Sequence, residues 1–498
     1  MKRPAAAAAG ILSAVVGVAA GHLVAALLEP ASSPLLVVGS TVIDLTPTPL
    51  KEWAIREFGE RDKTVLVGSV LLGVLLLAAV AGLLARRRFA YGAALLVALV
   101  AIPAVAAVTR PGAAATDVLP SLVAAVAGVG SLAWLVWSGA PDRSAGGRRG
   151  VLLAGGVLAL GAAAMGGAGR WIAAYRTGLT DVALPAADDP APPFPTGLED
   201  RVPGITSFRT PSDDFYRVDT RLTLPIIDQD DWTLTIDGDV DEEVTFTFDD
   251  LLAMPLIERD ITLTCVSNEV GGRYIGGARW LGVRLTDLLD RAGIGSTQAD
   301  QILSTDVDGL TISTPLDLAT DGRDAMIAVG MNGSSLPREH GFPARMVVPG
   351  LYGFISACKW ITRMTLTTYA EEDAYWTDRG WATDAPIKIS SRIDTPKPLS
   401  TVRPGRTLVG GVAWAQHQGG IEKVEVRVDG GPWQQARLGP SAGSDYWRQW
   451  YLPWTAEEGQ HSLAVRAVDG EGDVQTAVRA TPFPEGASGI QQIVVNVG

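Results

Sequence analysis

The sequence predicts a multi-domain chain: an all-α region of about five transmembrane helices, an α+β domain, and an all-β domain of immunoglobulin-like sandwich type. Three observations carry this. Mean hydropathy is +0.21 over 498 residues, while 19% of residues are charged, below the roughly 25% typical of globular domains. The charge is split: residues 1–170 hold 14 Lys+Arg against 8 Asp+Glu, net +6, and the rest hold 27 against 46, net −19. The hydrophobic pattern changes at the same boundary, from continuous apolar runs to alternation. A single soluble domain is excluded. Nucleic acid is not expected as a partner, because the polar part repels phosphate.

The first part, residues 1–170, contains five uncharged stretches near the 20 or so apolar residues that a bilayer requires, at 4–28, 64–85, 89–109, 118–141 and 150–169. The first resembles a signal peptide in composition, but no tidy cleavage site follows it and four more spans come after. Lys2 and Arg3, then Arg86, Arg87 and Arg88, then Arg143, Arg148 and Arg149 fall on one side if all five cross. That side is expected to be cytoplasmic by the positive-inside rule. The expected location is thus a bacterial cytoplasmic membrane, with the acidic half outside. The loop 29–63 mixes Lys51, Arg56, Arg61 and Lys63 with Glu52, Glu57, Glu60 and Asp62. Arg148-Arg149 before a Gly/Ala-rich helix reads equally as a twin-arginine export address or as ordinary topology determinants. His22 is the one histidine in any span, so no bis-histidine haem is available within one chain and no haem is expected. A plain anchor needs one helix; the duty of five is unexplained by composition.

Residues 171–199 read as a linker, Pro- and Asp-rich at 181–195. Over 200–380, segments 232–236, 244–248, 261–265 and 345–348 alternate as strands, and 249–254 and 284–292 read as short helices. From 385 to 498 short alternating strands follow one another between turns such as Asp429-Gly430-Gly431 and Asp469-Gly470. That pattern fits the immunoglobulin-like sandwich.

Two cysteines exist, Cys265 and Cys358, both in the exported part, where a disulfide between them is conceivable. Cys265 ends the strand Asp260–Cys265, on one face with Ile261 and Leu263, and precedes the polar loop Val266-Ser267-Asn268-Glu269-Val270-Gly271-Gly272. A thiolate there suits a metal ligand or nucleophile; a small buried hydrophobe is the other reading. No CxxC, HExxH or histidine cluster supports zinc, copper or iron–sulfur.

The segments that follow occur in a set order: Gly276-Gly277-Ala278-Arg279-Trp280-Leu281-Gly282-Val283, then Asn332-Gly333, then His340-Gly341-Phe342-Pro343-Ala344-Arg345, then Val347-Val348-Pro349-Gly350 and Lys359-Trp360. With Cys265 ahead of them, the set resembles the sulfite oxidase family of molybdopterin-dependent oxidoreductases over about 200–370. The resemblance implies a molybdenum–molybdopterin cofactor in a domain at 200–380, with Cys265 as the molybdenum ligand. It implies that Arg345 and Lys359 meet the cofactor phosphate and that His340 hydrogen-bonds the pterin. Tyr216 and Arg217, in Asp214-Phe215-Tyr216-Arg217-Val218-Asp219, match a cofactor-contacting segment. Arg279 matches an element that orders the cofactor loop, and Asp308 (or Asp306, two residues away) approximates a further pterin contact. Residues 385–498 resemble that family's dimerisation domain, which implies a homodimer.

The chain departs from the sulfite-oxidising pattern after the cysteine, where arginines give way to Val-Ser-Asn-Glu, and in the aromatic segment, which ends Val218-Asp219-Thr220. Glu269 disfavours a sulfite dianion. The expectation is therefore two-electron oxygen-atom transfer to or from a small-molecule oxygen donor or acceptor, either sulfoxide reduction or sulfite oxidation, with an unidentified electron partner. A non-catalytic binding or adhesion protein is the alternative from another class.

Overall fold

A computed structural model describes residues 2–47, 61–110, 113–138, 147–177 and 182–498, together with 50, 53, 57 and 58. Arg143, Lys51, Arg56, Glu52 and Glu60 lie outside these, and the side chains of Asp62, Arg148 and Arg149 are likewise outside the description. The chain divides into two compact units, Met1–Leu179 with Asp219–Ile226, and Thr180–Val218 with Ile227–Gly498.

The first unit contains α1 (Arg3–Leu27), α2 (Pro34–Leu45), α3 (Asp62–Ala85), α4 (Phe89–Val108), α5 (Leu119–Ser138) and α6 (Gly147–Thr177). Among the described residues, five helices are long and apolar enough to cross a membrane. Helix α1 is the hub, packed on α3, α5 and α6, because its glycines let backbones touch. A Cβ on Gly10 would lie 2.0 Å from the Ala78 carbonyl, and one on Gly17 would lie 2.7 Å from that of Ala124. Small residues at such crossings are how apolar helices associate where no hydrophobic force separates them from lipid. Near the C-terminal end of α1, Arg176 donates to the Ala26 and Leu28 carbonyls at 2.8 and 3.2 Å, satisfying groups with no intrahelical partner. Helix α2 lies within the stretch 29–63 that composition presents as a loop; Pro34 at its first position is the signal that marks it.

The second unit is built on sheets. The strands β3 (Leu256–Thr264), β4 (Ile275–Arg284), β7 (Met326–Met331) and β8 (Ser334–Ser335) form one, with β9 (Arg345–Val347) beside β7. A second sheet runs β2 (Val244–Thr247), β1 (Thr233–Gly238), β10 (Ile361–Thr367), β5 (Gln301–Asp306), β6 (Thr311–Pro315). The first sheet's core face is Ile261, Leu263, Ala278, Trp280, Met326 and Val347, the period-2 set that a half-buried strand requires.

The remaining strands are β11 (Ser390–Thr395), β12 (Thr401–Val402), β13 (Gly405–Trp414), β14 (Ile421–Val428), β15 (Gln434–Gln435), β16 (Arg437–Leu438), β17 (Arg448–Ala456), β18 (Gly459–Asp469) and β19 (Gln491–Val497). They make two sheets, β11-β13-β17-β16 and β12-β19-β18-β14-β15. Val409, Trp450 and Leu452 from one share a core with Val424, Val426, Leu463, Val465 and Val495 from the other.

This β region grips β3 directly. The Thr262 amide donates to the Asp445 carbonyl at 3.0 Å, its carbonyl accepts from Gln416 Nε2 at 3.0 Å, and its hydroxyl oxygen accepts from the Trp447 amide at 2.9 Å. The end of β3, where Cys265 sits, is thereby immobilised from outside the sheet. The Pro/Asp-rich segment is also no free spacer. The Asp188 and Asp189 amides donate to the Leu256 carbonyl at 2.9 and 3.1 Å, and the Glu258 amide donates back to the Asp189 carbonyl at 2.9 Å. Residues expected to be solvated instead extend the sheet edge, because their backbone groups find partners on β3.

Candidate functional site

Cys265 is the first residue past β3. Its amide donates to the Tyr274 carbonyl at 2.9 Å, its carbonyl accepts from the Asn268 amide at 3.0 Å, and Asn268 Oδ1 accepts from the Tyr274 amide at 2.9 Å. The polar loop is closed on itself, with the thiol buried. Burial pushes the Cys265 thiol up; hydrogen bonds from the Ser267 amide and hydroxyl, and the Lys359 charge, pull the other way. Cys358 is buried too, and neither cysteine is in a disulfide. The conceivable disulfide does not form.

Arg345 opens β9 and forms a β-bridge with Lys359. Gly341, at φ +113°, lies between them: a Cβ would sit 3.0 Å from Arg345 Cβ and 3.2 Å from Lys359 Cα. Only glycine suits that conformation and that gap. The Arg345 guanidinium is 5.1 Å from the Trp280 ring centre. Among the described residues it donates to carbonyls alone, those of His340 at 3.0 Å, Ala357 at 3.4 Å and Met346 at 3.5 Å. Burial lowers its pKa to about 10. Lys359 Nζ donates to the Glu339 carbonyl at 3.2 Å and lies 4.5 Å from the Trp360 ring centre.

His340 Nε2 is 2.9 Å from the Ser212 carbonyl, with the Phe215 ring edge-on at 5.4 Å. Burial, and then the charges of Arg345, Lys359 and Arg217, hold its pKa down at about 4, against the Ser212 hydrogen bond. The imidazole is neutral at pH 7 because it is buried and cations surround it. Tyr216 stacks on Phe215 at 5.2 Å. Burial, then Cys265, pushes its hydroxyl well above its ordinary range, and Arg345 opposes them. Six of the eight residues singled out above, Cys265, Tyr216, Arg217, His340, Arg345 and Lys359, thus act on one another electrostatically.

The other two are placed differently. The Arg279 side chain points to the opposite face of β4, donating to Asp260 at 2.7 and 2.8 Å, Glu258 at 3.4 Å and the Pro192 carbonyl at 2.6 Å. Strand alternation sends Trp280 to the core and Arg279 away from it. Any ordering role of Arg279 on the cofactor loop would therefore act through these carboxylates and its backbone bond to Asn332. Asp308 sits in the β5–β6 turn, its amide donating to Asp306 Oδ1 at 2.9 Å; the Val307 amide bonds the Trp360 carbonyl at 3.0 Å. Asp306 Oδ1 also accepts from the Leu310 amide at 3.0 Å, which holds the turn. Glu269 is exposed. Two residues escape the sequence reading. Tyr352, pushed up to about 12 by burial and further raised by Cys265, is hidden in the Pro349-Gly350-Leu351 run. Phe215, overshadowed by its neighbour, packs against Trp280 at 5.8 Å as well as His340.

Among the described residues no group of three or more His, Cys, Asp or Glu is placed to hold a metal ion. Residues 221–376 match the oxidoreductase molybdopterin binding domain family. Mitochondrial sulfite oxidase of Rattus norvegicus is 31% identical over 319 residues, covering 54% of this chain and 57% of that one. Over this region the chain is similar to the sulfite oxidases. Sulfite oxidase of Gallus gallus is 27% identical over 60% of this chain and 79% of its own. The crystal structure of the sulfane dehydrogenase SoxCD from Paracoccus pantotrophus aligns with TM-score 0.52 at 26% identity, over 59% of this chain and 84% of that one. The chain spans a little over half the length of the mammalian relatives it matches. The matched binding domain implies a molybdenum cofactor. The residues present fit that group: one thiol for the metal, and a buried guanidinium bonded only to carbonyls for an anion.

Proposed function

We propose that the chain is a membrane-anchored, extracytoplasmic molybdopterin oxidoreductase performing two-electron oxygen-atom transfer at sulfur. The observation that carries this is the buried Arg345 guanidinium, bonded to carbonyls without a carboxylate among its contacts in the described residues. A buried cation left so is costly unless an anion completes it. Arg345 and Lys359 would hold the cofactor phosphate, His340 its pterin as a neutral hydrogen-bonding group, and Tyr216 and Arg217 the opposite rim. Cys265 would ligate the metal as thiolate, its proton lost on binding. When bound, the cofactor supplies the oxo transfer and stores the electrons. Tyr352 and Tyr216, both with hydroxyls held protonated by burial, are the donors beside the thiol.

Two observations bear on the substrate. The relatives are named sulfite oxidase and sulfane dehydrogenase, which favours oxidation of a small sulfur compound such as sulfite. The loop Val266–Val270, without arginine, favours a neutral sulfoxide. Turnover of sulfite and of methionine sulfoxide on one preparation decides between them. About one molybdenum per chain, lost in Cys265→Ser, is the expected result for the cofactor; a folded wild-type chain without molybdenum from a replete host overturns it.

The five apolar helices support a multi-pass location, and the Lys/Arg bias of the short loops supports the acidic half lying outside. A periplasmic-type reporter after residue 498 is expected to be active. Export of the rear half is expected to fail in Arg148→Lys/Arg149→Lys if the twin arginines are an address. The β11–β19 region supports an immunoglobulin-like dimerisation module, which light scattering of the detergent-solubilised chain tests. Electrons would pass to or from a separate carrier.

A further inference from the structure

We propose that Arg323 is a positioning residue: it fixes the turn Pro349–Tyr352 and thereby sets where the Tyr352 hydroxyl stands beside Cys265, with His417 of the β region bracing it. This rests on the reading of Tyr352 as a donor. The turn lies between β9 and the helical turn Gly353–Ser356, and it delivers its end to the thiol's own neighbours. A Cβ on Gly353 would lie 3.7 Å from the Thr264 carbonyl and 3.9 Å from Tyr216 Oη. Contacts from other segments of the same compact unit hold the turn.

Arg323 stands in the loop before β7, with its side chain 4% exposed. Nε donates to Asp321 Oδ1 at 3.0 Å and Nη2 to Asp321 Oδ2 at 2.6 Å, a fork that fixes the plane of the guanidinium. Those bonds hold the Asp321 carboxyl down at about 2, so the pair stays charged at neutral pH. An arginine serving only its own loop would stop there. Nη1 instead reaches across to the Pro349 carbonyl at 2.7 Å. The next residue, Asp324, is tied to Arg259 and Arg284 on β3 and β4. Arg323 thus carries the position of that sheet to the turn.

The β region braces the turn from the other side. His417 Nε2 lies 3.5 Å from Asp321 Oδ2, and a Cβ on Gly350 would come 2.5 Å from His417 Cβ. His417 is left-handed at φ +60°, a conformation that persists in a non-glycine residue only where its surroundings impose it. Its amide donates to Asp445 Oδ1 at 2.8 Å. The Ile387 amide donates to the Gly350 carbonyl at 2.8 Å, and the Tyr352 amide to the Ala385 carbonyl at 3.1 Å. Gly486 then closes on the Tyr352 ring, where a Cβ would lie 2.5 Å from the ring and 2.6 Å from Oη. A hydroxyl that gives up a proton must stand within about 3 Å of the atom that takes it, and a misplacement of about 1 Å can cost about 100-fold.

The test uses the full-length, cofactor-loaded chain in detergent, with two readouts. Hydrogen exchange by mass spectrometry reports the Tyr352 and Ile387 amides, which close the turn. Turnover is measured on sulfite and on methionine sulfoxide, with whichever the chain accepts. Arg323→Met is expected to speed exchange at those amides about tenfold, the loss of one hydrogen bond from a charged donor. It should lower kcat about tenfold and leave KM within about twofold. Arg323→Lys, which keeps a cation for Asp321 and a donor for Pro349, is expected to recover most of both. In a Tyr352→Phe background the further loss of kcat from Arg323→Met should vanish while the faster exchange persists, which a merely structural role would not produce. Wild-type exchange in Arg323→Met overturns the proposal, as does a kcat loss equally large in the Tyr352→Phe background. Should Arg323→Met fail to fold, His417→Gly keeps the left-handed backbone without the imidazole and decides by the same cycle, at about threefold. Tyr352→Phe with wild-type kcat, or a chain that turns over neither substrate, overturns the donor reading instead; exchange then decides whether Arg323 fixes the turn.

Discussion

The arginines of one sheet are treated in opposite ways. Arg259 meets Asp189 at 2.6 Å and Asp324 at 2.7 Å, Arg284 meets Asp324 at 2.5 Å, and Arg279 meets Asp260 at 2.7 Å. Arg345, among the described residues, donates to carbonyls only. The paired arginines are complete and hold the extended segment 188–192 to β3 and β4. Arg345 is solvated by dipoles rather than neutralised, and its charge acts on Tyr216 and His340. Pairing, more than burial or residue type, separates a structural cation from one awaiting an anion.

The largest expected effect comes from breaking each kind. Arg279→Met strips the cation from Asp260, whose side chain is 5% exposed, and loss of one partner of a buried pair costs about 3–5 kcal/mol. Denaturant unfolding is expected to show that loss while molybdenum per folded chain stays at the wild-type level. Arg345→Met is expected to do the reverse. A charge-assisted hydrogen bond contributes roughly 1.5–3 kcal/mol, so cofactor retention should fall about 10- to 100-fold. Stability of the cofactor-free chain should hold or rise, since a buried cation is gone. If both variants lose stability and metal alike, the distinction between paired and unpaired arginines fails.

A smaller effect sharpens it through pH. His340 titrates near 4 in the folded chain and near 6.5 unfolded. The unfolded state therefore takes up the proton first as pH falls. Stability from this group is present above pH 6.5 and is lost between 6.5 and 4, by about 3 kcal/mol. His340→Gln in the cofactor-free chain should flatten that slope, read from unfolding midpoints at pH 7 and 4.5. An unchanged slope would mean that burial and the surrounding cations do not govern the site.

How much of this is legible beforehand follows from where each signal resides. Periodicity locates β1, β2 and the end of β3, and the helices at Phe248–Leu252 and Leu285–Ala292, because alternation and amphipathicity are local properties. It misses β4 as a strand, since Gly276-Gly277 breaks the apolar pattern. Those glycines are there for packing: a Cβ on Gly276 would meet the Phe215 ring at 2.7 Å, and one on Gly277 the Tyr446 ring at 2.5 Å. Cys265, His340, Arg345 and Lys359 are readable as an ordered set. That Arg279 faces away from them is not, because a strand's facing is decided by its neighbours. Nor can composition show that Pro- and Asp-rich residues lie along β3, where the carboxylates of Asp188 and Asp189 serve amides and arginines instead of water.

The smallest effect concerns how far the β region supports the segment leading to Phe215 and Tyr216. Tyr446 Oη and Trp447 Nε1 both donate to the Phe208 carbonyl, at 2.8 and 2.7 Å, and Phe208 lies on the segment leading to Phe215 and Tyr216. Tyr446→Phe removes one of two donors to the same acceptor, so the carbonyl stays satisfied. The cost should be only about 0.5–1.5 kcal/mol, with molybdenum content unchanged. Removing Trp447 Nε1 as well, by Trp447→Phe in the same chain, strands the carbonyl in a buried setting. The pair should then exceed the sum of the singles by about 1 kcal/mol or more. A strictly additive double mutant, measured by unfolding midpoints, would show that water replaces the second donor and that the β region does not fix this approach to the site.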